Sequence, residues 1–274
     1  MSYPEPSITV NVDVTNPGQF FACCGLLELA DRLWPSAEGW FNDGYFMLAA
    51  NSSDATVLQV ANRLRRCELE PDDTDSDEKT CPLRLREEAS AINGNKPLSI
   101  LLDWWLDNVG VGDSLKTWAG QQKVTVISRA MLHSATIDGQ ADSTWLNHGR
   151  PAHLPKSPTK IVEPFCFDAR RFAHALDTGF SLDTQGAETI AHPAVELLCL
   201  IGLQRFRPQQ SSKSKWHFEY WTWMWPLCPT VAAAVVCGAA PVSDLQGYRF
   251  ALRFRDNQKR YKAFGFATPI GGNL

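Results

Sequence analysis

No Cys-x-x-Cys pair occurs among the eight cysteines of this chain, at positions 23, 24, 67, 81, 166, 199, 228 and 237. Most lie in apolar runs such as Leu198-Cys199-Leu200 and Val236-Cys237-Gly238. That pattern predicts reduced, buried thiols and a cytoplasmic protein rather than a redox motif or zinc site. Histidine is also scarce, with six in the chain. His148 and His153 share a loop with Arg150, but no metal-ligand spacing emerges, so no metal or other cofactor is expected. No apolar run approaches the ~18 residues of a membrane span. Met-Ser-Tyr-Pro-Glu-Pro-Ser at the start has neither a charged n-region nor an apolar core, which predicts no signal peptide. There is no internal repeat, and no P-loop, G-x-S-x-G or H-E-x-x-H motif. These absences weigh against an enzyme without excluding one.

What is present is a chain of 274 residues, 44% hydrophobic, enough to bury a sizeable core in one large or two coupled domains. The net charge of −4 hides an uneven distribution. Residues 68–88 carry nine acids and three bases, a balance of −6. Residues 204–262 carry ten Lys/Arg against Glu219, Asp244 and Asp256, a balance of +7. The basic region, not the overall charge, points to a partner.

The organising stretch is residues 13–34. Asn16 suits a helix N-cap, Pro17 the first helical position and Gln19 the capping-box position. From Phe20 to Leu27 no charge appears, so this helix is buried on all sides at its start. Glu28, Asp31 and Arg32 then open a polar face, and Pro35 ends the helix. Its buried N-terminus is compatible with an anion site or with a plain core helix capped by Asn16.

Alternation over Ile8–Val14 predicts a half-buried strand, and Asn42-Asp43-Gly44 a turn before an apolar strand at Tyr45–Ala49. Ser53 is positioned to cap a helix through Arg66, with Ala55, Leu58, Ala61 and Leu64 on one stripe. Residues 69–81, rich in Asp, read as a solvated or disordered loop. Pro97–Leu106 reads as a strand, and a helix follows through about Ser134. The polar stretch 138–158 reads as a connecting loop between an N-terminal half, 1–137, and a C-terminal half, 159–274, unless the domain is continuous. His192-Pro193 opens a buried helix, Ala194–Leu203. The expected fold class is α+β, with antiparallel-rich sheets packed by buried helices.

Candidate binding residues fall in four places. Leu115–Gln122 offers Lys116, Trp118 and Gln121, a set able to contact phosphate and stack a base, although Trp118 serves equally as a core anchor. Arg205 and Arg207 follow the buried helix, and Asp168, Arg170 and Arg171 form either an ion-pair knot or a phosphate contact. A hairpin over 247–264 carries Arg249, Arg253, Arg255, Lys259, Arg260 and Lys262, a phosphate-facing ribbon or an edge protected by charge. Just before it, Trp216, Phe218 and Tyr220 share one face and Trp221, Trp223 and Trp225 another. The shift between the frames predicts a bulge or strand break. Stacking by these rings competes with a core role.

Several blocks together resemble a known family. They are Asn16–Leu27, Leu102–Trp105, Leu115–Gln122, Phe167–Arg171, Pro193–Leu198 and Gly202–Pro208. The chain is similar to a short subunit encoded with bacterial type I-G (formerly I-U) CRISPR interference genes and grouped with the large-subunit proteins. The resemblance implies a non-catalytic part in an RNA-guided surveillance complex (a Cascade-type antiviral defence assembly). Its implied partners are crRNA, target DNA, other effector subunits and a recruited helicase-nuclease. It carries no catalytic residues with it, and large subunits of such complexes are usually far longer. The alternatives are an endoribonuclease trimming CRISPR RNA with His133 or His217 as base, and a purely structural bridge between subunits.

Overall fold

The structure is a computed structural model describing residues 3–72, 77–88, 97–107, 110–171, 190–240, 245–255 and 261–271. Its centre is helix α1, Pro17–Leu33, capped as its sequence requires: the Asn16 side chain accepts from the Gly18 amide at 3.1 Å. Gln19 reaches back to the Asp13 amide at 2.7 Å, doing for the incoming chain what a capping-box Gln does. Phe20 to Ala30 are all buried, and Arg32, Glu28 and Trp34 close the polar end.

Before α1, strand β1 (Ile8–Asn11) pairs antiparallel with β3 (Tyr45–Ala49), which pairs with β2 (Glu38–Asn42). Asp43 and Gly44 take φ of 45° and 81°, the two left-handed residues of a tight hairpin. Helix α2 (Val57–Arg65) is capped by Thr56, which accepts from Gln59 at 3.1 Å. The cap is therefore not Ser53, and the buried stripe is Val57, Val60, Ala61 and Leu64, leaving Leu58 exposed. The acidic stretch is not all loop either. Cys67–Pro71 forms strand β4, paired with β5 (Leu83–Glu87), which pairs with β6 (Ser99–Leu102). Leu69, Leu83, Leu85 and Ile100 line its inner face while Glu68 and Glu70 face out, an alternation the charge run masks.

The strand expected over 97–106 ends at Leu102, and a 3-10 turn at Trp104–Leu106 replaces its tail. A short helix α3 (Gly112–Leu115) and helix α4 (Val124–Thr136) follow. The expected connecting loop holds a further 3-10 turn, Trp145–Asn147, and the start of a hairpin, β7 (His153–Leu154) with β8 (Ser157–Ile161). Helix α5, Pro193–Gly202, is buried at every position.

The last sheet is antiparallel in the order β12 (Lys262–Phe264), β11 (Gln246–Phe254), β10 (His217–Thr222) and β9 (Gln209–Gln210), with β13 (Thr268–Pro269) also on β11. No bulge or break falls between Tyr220 and Trp221: the strand stays in register with β11 through both, facing Tyr248 and Gly247. β10 ends at Thr222, and Trp223 turns away to bury itself against the first sheet, its indole donating to the Gly39 carbonyl at 2.6 Å. Helix α6 (Pro229–Val236) ends at Gly238, whose φ of 70° needs glycine.

The fold is thus α+β with antiparallel sheets around buried helices. The N- and C-terminal halves share one apolar cluster. Its seam is α1 against α5: a Cβ on Gly25 would overlap the Leu198 carbonyl, and one on Gly202 the Phe21 carbonyl. Glycine at both positions lets the two backbones touch. Among the described residues no helix is long and apolar enough to cross a membrane.

Candidate nucleic-acid interface

Four of the proposed phosphate-binding arginines are engaged by acids of this chain. Arg205 and Arg32 grip Glu28 from two sides, Arg205 Nε lying 2.6 Å from Glu28 Oε2. Arg207 pairs with Asp107. Arg249 Nη2 lies 2.7 Å from Glu219 Oε1, its neighbour across the β10–β11 ladder. Arg255 turns off the end of β11 onto Glu163 at 2.8 Å, and Arg171 shares that carboxylate at 2.9 Å. Opposite charges on adjacent strands find each other, and a pair so formed leaves little field for a phosphate. Arg253 is exposed and lies over Gly265. Lys259 and Arg260 lie outside the described residues. The hairpin is therefore not the continuous basic ribbon its sequence implies.

Trp118 is also corrected as a stacking residue. It is 3% exposed, its indole donates to the Lys79 carbonyl at 3.0 Å, and it packs edge-on against Trp104, Trp105 and Phe165. No base reaches its face. Gln121 is exposed, while its neighbour Gln122 folds back to accept from the Ala119 amide.

The anion site allowed at the N-terminus of α1 is filled by protein. Asn16 Oδ1 accepts from Ala169 at 3.0 Å as well as from Gly18, and its Nδ2 donates to Asp168 Oδ1 at 2.7 Å. Asp168 also takes Arg170 and, at 2.8 Å, His192 Nδ1. Glu196, on the first turn of α5, accepts from the Phe167 and Asp168 amides. Burial works to raise the Asp168 carboxyl, but the bonds from His192 and Arg170 outweigh it and hold the group well below the carboxylate range. Burial pushes Glu196 up to about 8, with the Asp168 charge adding to it. The Asp168–Arg170 set is accordingly an ion-pair knot, the structural alternative of the two.

What remains is a corner where Lys116 and Lys262 meet. The Lys262 amide donates to the Thr117 carbonyl at 3.2 Å, and its Nζ donates to the Ser114 carbonyl at 2.9 Å. Lys262 Nζ also stands 5.5 Å from the centre of the Trp216 ring, and Lys215 Nζ 4.8 Å from it. Lys116 Nζ lies 5.3 Å from the Trp118 ring centre. Among the described residues no salt bridge joins any of these three ammonium groups to an acid. Burial pushes the Lys262 amine down to about 8, with the Lys116 charge adding and Asp113 opposing. Burial also lowers Lys116, with Asp113 and Asp77 opposing. Lysines gathered in this corner, partly dried and in no ion pair among the described residues, with Asp113 the nearby acid opposing them, form a site able to take an anion.

Sequence reasoning places Lys116 and Lys262 in the interface and weighs Trp216 as a stacking ring, but leaves Lys215 out of it. The signal was its adjacency to Trp216: a strand-leading Lys-Trp pair puts the ammonium over the ring of its own neighbour. Of the two histidines held as possible bases, His133 is half-buried beside His153, and burial, with that neighbour's help, lowers its pKa. His217 keeps Nδ1 buried without a hydrogen bond among the described residues.

Comparison with family models, with curated proteins and with solved structures gives no match for this chain.

Proposed function

We propose that this chain is a non-catalytic, nucleic-acid-binding subunit of a type I CRISPR RNA-guided surveillance complex, and that it holds the backbone of RNA or DNA at Lys116, Lys215 and Lys262. The observation carrying the binding half is the corner itself, where like charges gather without an ion pair among the described residues. The CRISPR half is supported by the six sequence blocks quoted above. Trp216 has lysines over its ring and the edge of Phe254 against it at 5.1 Å, so its face is already occupied. The corner thus recognises phosphate, a contact that positions a strand without reading its bases.

The test is co-expression with type I-G effector subunits, followed by sequencing of co-purified nucleic acid. The reading expects guide RNA or target-strand DNA to be retained, and to be shed on Lys116→Glu with Lys262→Glu. Retention unchanged by both substitutions defeats it.

A bridging role has its own support. Trp221–Ala240 carries no charged residue or histidine, yet Met224 and Val231 are about half exposed. An uncharged surface of this kind suits a protein neighbour. Partner subunits that stay bound after nuclease treatment, with no nucleic acid present, would favour bridging over binding. The endoribonuclease alternative draws less from the geometry: burial and the neighbouring His153 disfavour the charged form of His133, and His217 Nδ1 is buried without a hydrogen bond among the described residues.

A further inference from the structure

Lys262 differs from an ordinary surface lysine in three ways. Its amine is partly buried between β12 and the 114–117 segment. Its hydrogen-bond acceptor is the Ser114 carbonyl, which a neutral amine satisfies as well as an ammonium. Of the charges that act on it, Lys116 disfavours the ammonium, and Asp113, the acid opposing it, does not compensate. The remaining cation of the corner, Lys215, sits over the same Trp216 ring, and Arg255 beyond β11 is drawn off to Glu163.

We propose that Lys262 is a lysine acylation site for small activated acyl donors, acyl phosphates or acyl thioesters, and that its acylation switches off the phosphate-binding corner. The Nζ lone pair adds to the donor carbonyl carbon. The carbon–oxygen or carbon–sulfur bond then breaks, phosphate or thiolate leaves with the electron pair, and the surplus amine proton passes to solvent. One amide forms and one activated bond is spent, with no oxidation or reduction. Desolvation beside a second cation is the general way a lysine becomes nucleophilic near neutral pH. With its amine titrating at about 8, Lys262 is roughly one-tenth neutral at pH 7, where a lysine in water, near ~10.4, is neutral in under about one molecule in a thousand. The product amide has lost the charge that Lys116 and Lys215 shared with it. The switch, though not the acylation, rests on the nucleic-acid reading above.

The experiment treats the full chain with acetyl phosphate between about pH 7 and pH 10.5 and follows each lysine by peptide mass spectrometry, with exposed Lys156 and Lys160 as internal comparators. Lys262 modification is expected to level off about one pH unit above its titration point, while that of a free lysine amide added to the same mixture keeps rising through about pH 10. Lys116→Met should move the Lys262 plateau to higher pH. A Lys262 that stays unmodified while Lys156 and Lys160 react, or that follows the profile of the free lysine amide, overturns the proposal. Nucleic-acid affinity of Lys262→Gln against Lys262→Arg separates the two readings. A several-fold loss in Gln alone supports the switch. Equal affinity, with the plateau still present, overturns the switch, and the corner as a binding site falls if Lys116→Glu with Lys262→Glu leaves affinity unchanged as well.

Discussion

Asn16 and Asp168, 152 positions apart in sequence, meet through one buried hydrogen bond of 2.7 Å. Around it the start of α1, the 167–171 turn and the start of α5 are tied into one node by Gly18, Ala169, Arg170, His192 and Glu196. The blocks Asn16–Leu27, Phe167–Arg171 and Pro193–Leu198 therefore converge on a piece of internal scaffolding, not on an open site. Asn16→Ala removes an N-cap and leaves the Ala169 amide without its acceptor, while Asp168 Oδ1 keeps its bonds from Arg170. We expect it to cost about 3 kcal/mol, from about 1 kcal/mol for the cap and 1–3 kcal/mol for a buried group left unpaired. Urea denaturation against wild type checks this, and a loss under about 1 kcal/mol would show that the node yields.

Gly25→Ala and Gly202→Ala test the α1–α5 seam. Each new methyl would meet backbone, which has nowhere to go, since both helices are buried on all sides. Overpacking of a well-filled core costs typically 1–3 kcal/mol, and more where backbone must shift. We expect either variant to lower the thermal midpoint by several degrees, and Gly120→Ala, at an open position, to leave it unchanged. Equal midpoints for all three would contradict the close approach.

Local signals carried much of this fold. Asn16-Pro17 fixed a helix start, Asp43-Gly44 a hairpin and Gly238 a helix end, because each rule acts within a few residues. The failures came where partners lie far off in sequence. Nothing near Arg205 announces Glu28, and nothing near Arg255 announces Glu163, so cations counted along the chain looked free when folding had paired them. Trp118 beside Lys116 looked like a stacking pair because burial against Trp104 and Phe165 is a tertiary fact. Lys262 was kept for its charge alone, and its desolvation and its distance to Trp216 needed coordinates.

Glu196 makes stability depend on pH with an unusual sign. Its folded value, about 8, lies above the ~4.3 of an unfolded chain, so between these the native state holds the extra proton. Its contribution is fully present below about pH 4 and is lost as pH rises through 8, with a slope of at most about 1.4 kcal/mol per pH unit. Asp168, held low, has the opposite sign, but its window lies at more acid pH. The measurement is the difference between wild type and Glu196→Gln in urea midpoint from pH 5 to 8. The wild type should lose stability relative to the variant across that range, and parallel curves would refute the assignment.

Charge reversal separates the corner from the paired arginines. Releasing counterions at two or three phosphates gives a slope of roughly −1.4 to −2.7 in log affinity against log salt. Lys116→Glu with Lys262→Glu should cut single-stranded RNA affinity by about tenfold or more and flatten that slope by roughly 1.4. Arg249→Glu faces Glu219 and Arg205→Glu faces Glu28, so their first effect is on folding: each leaves a carboxylate opposite a carboxylate. We expect Arg205→Glu to lower the thermal midpoint, and affinity per folded molecule to stay within about threefold of wild type. Filter binding across salt, normalised to the folded fraction by circular dichroism, distinguishes the two classes. If the arginine variants lose affinity and the lysine pair keeps it, the binding face belongs to Arg249 on β11 and Arg205 after α5, and the Glu219 and Glu28 pairs must open to admit the strand.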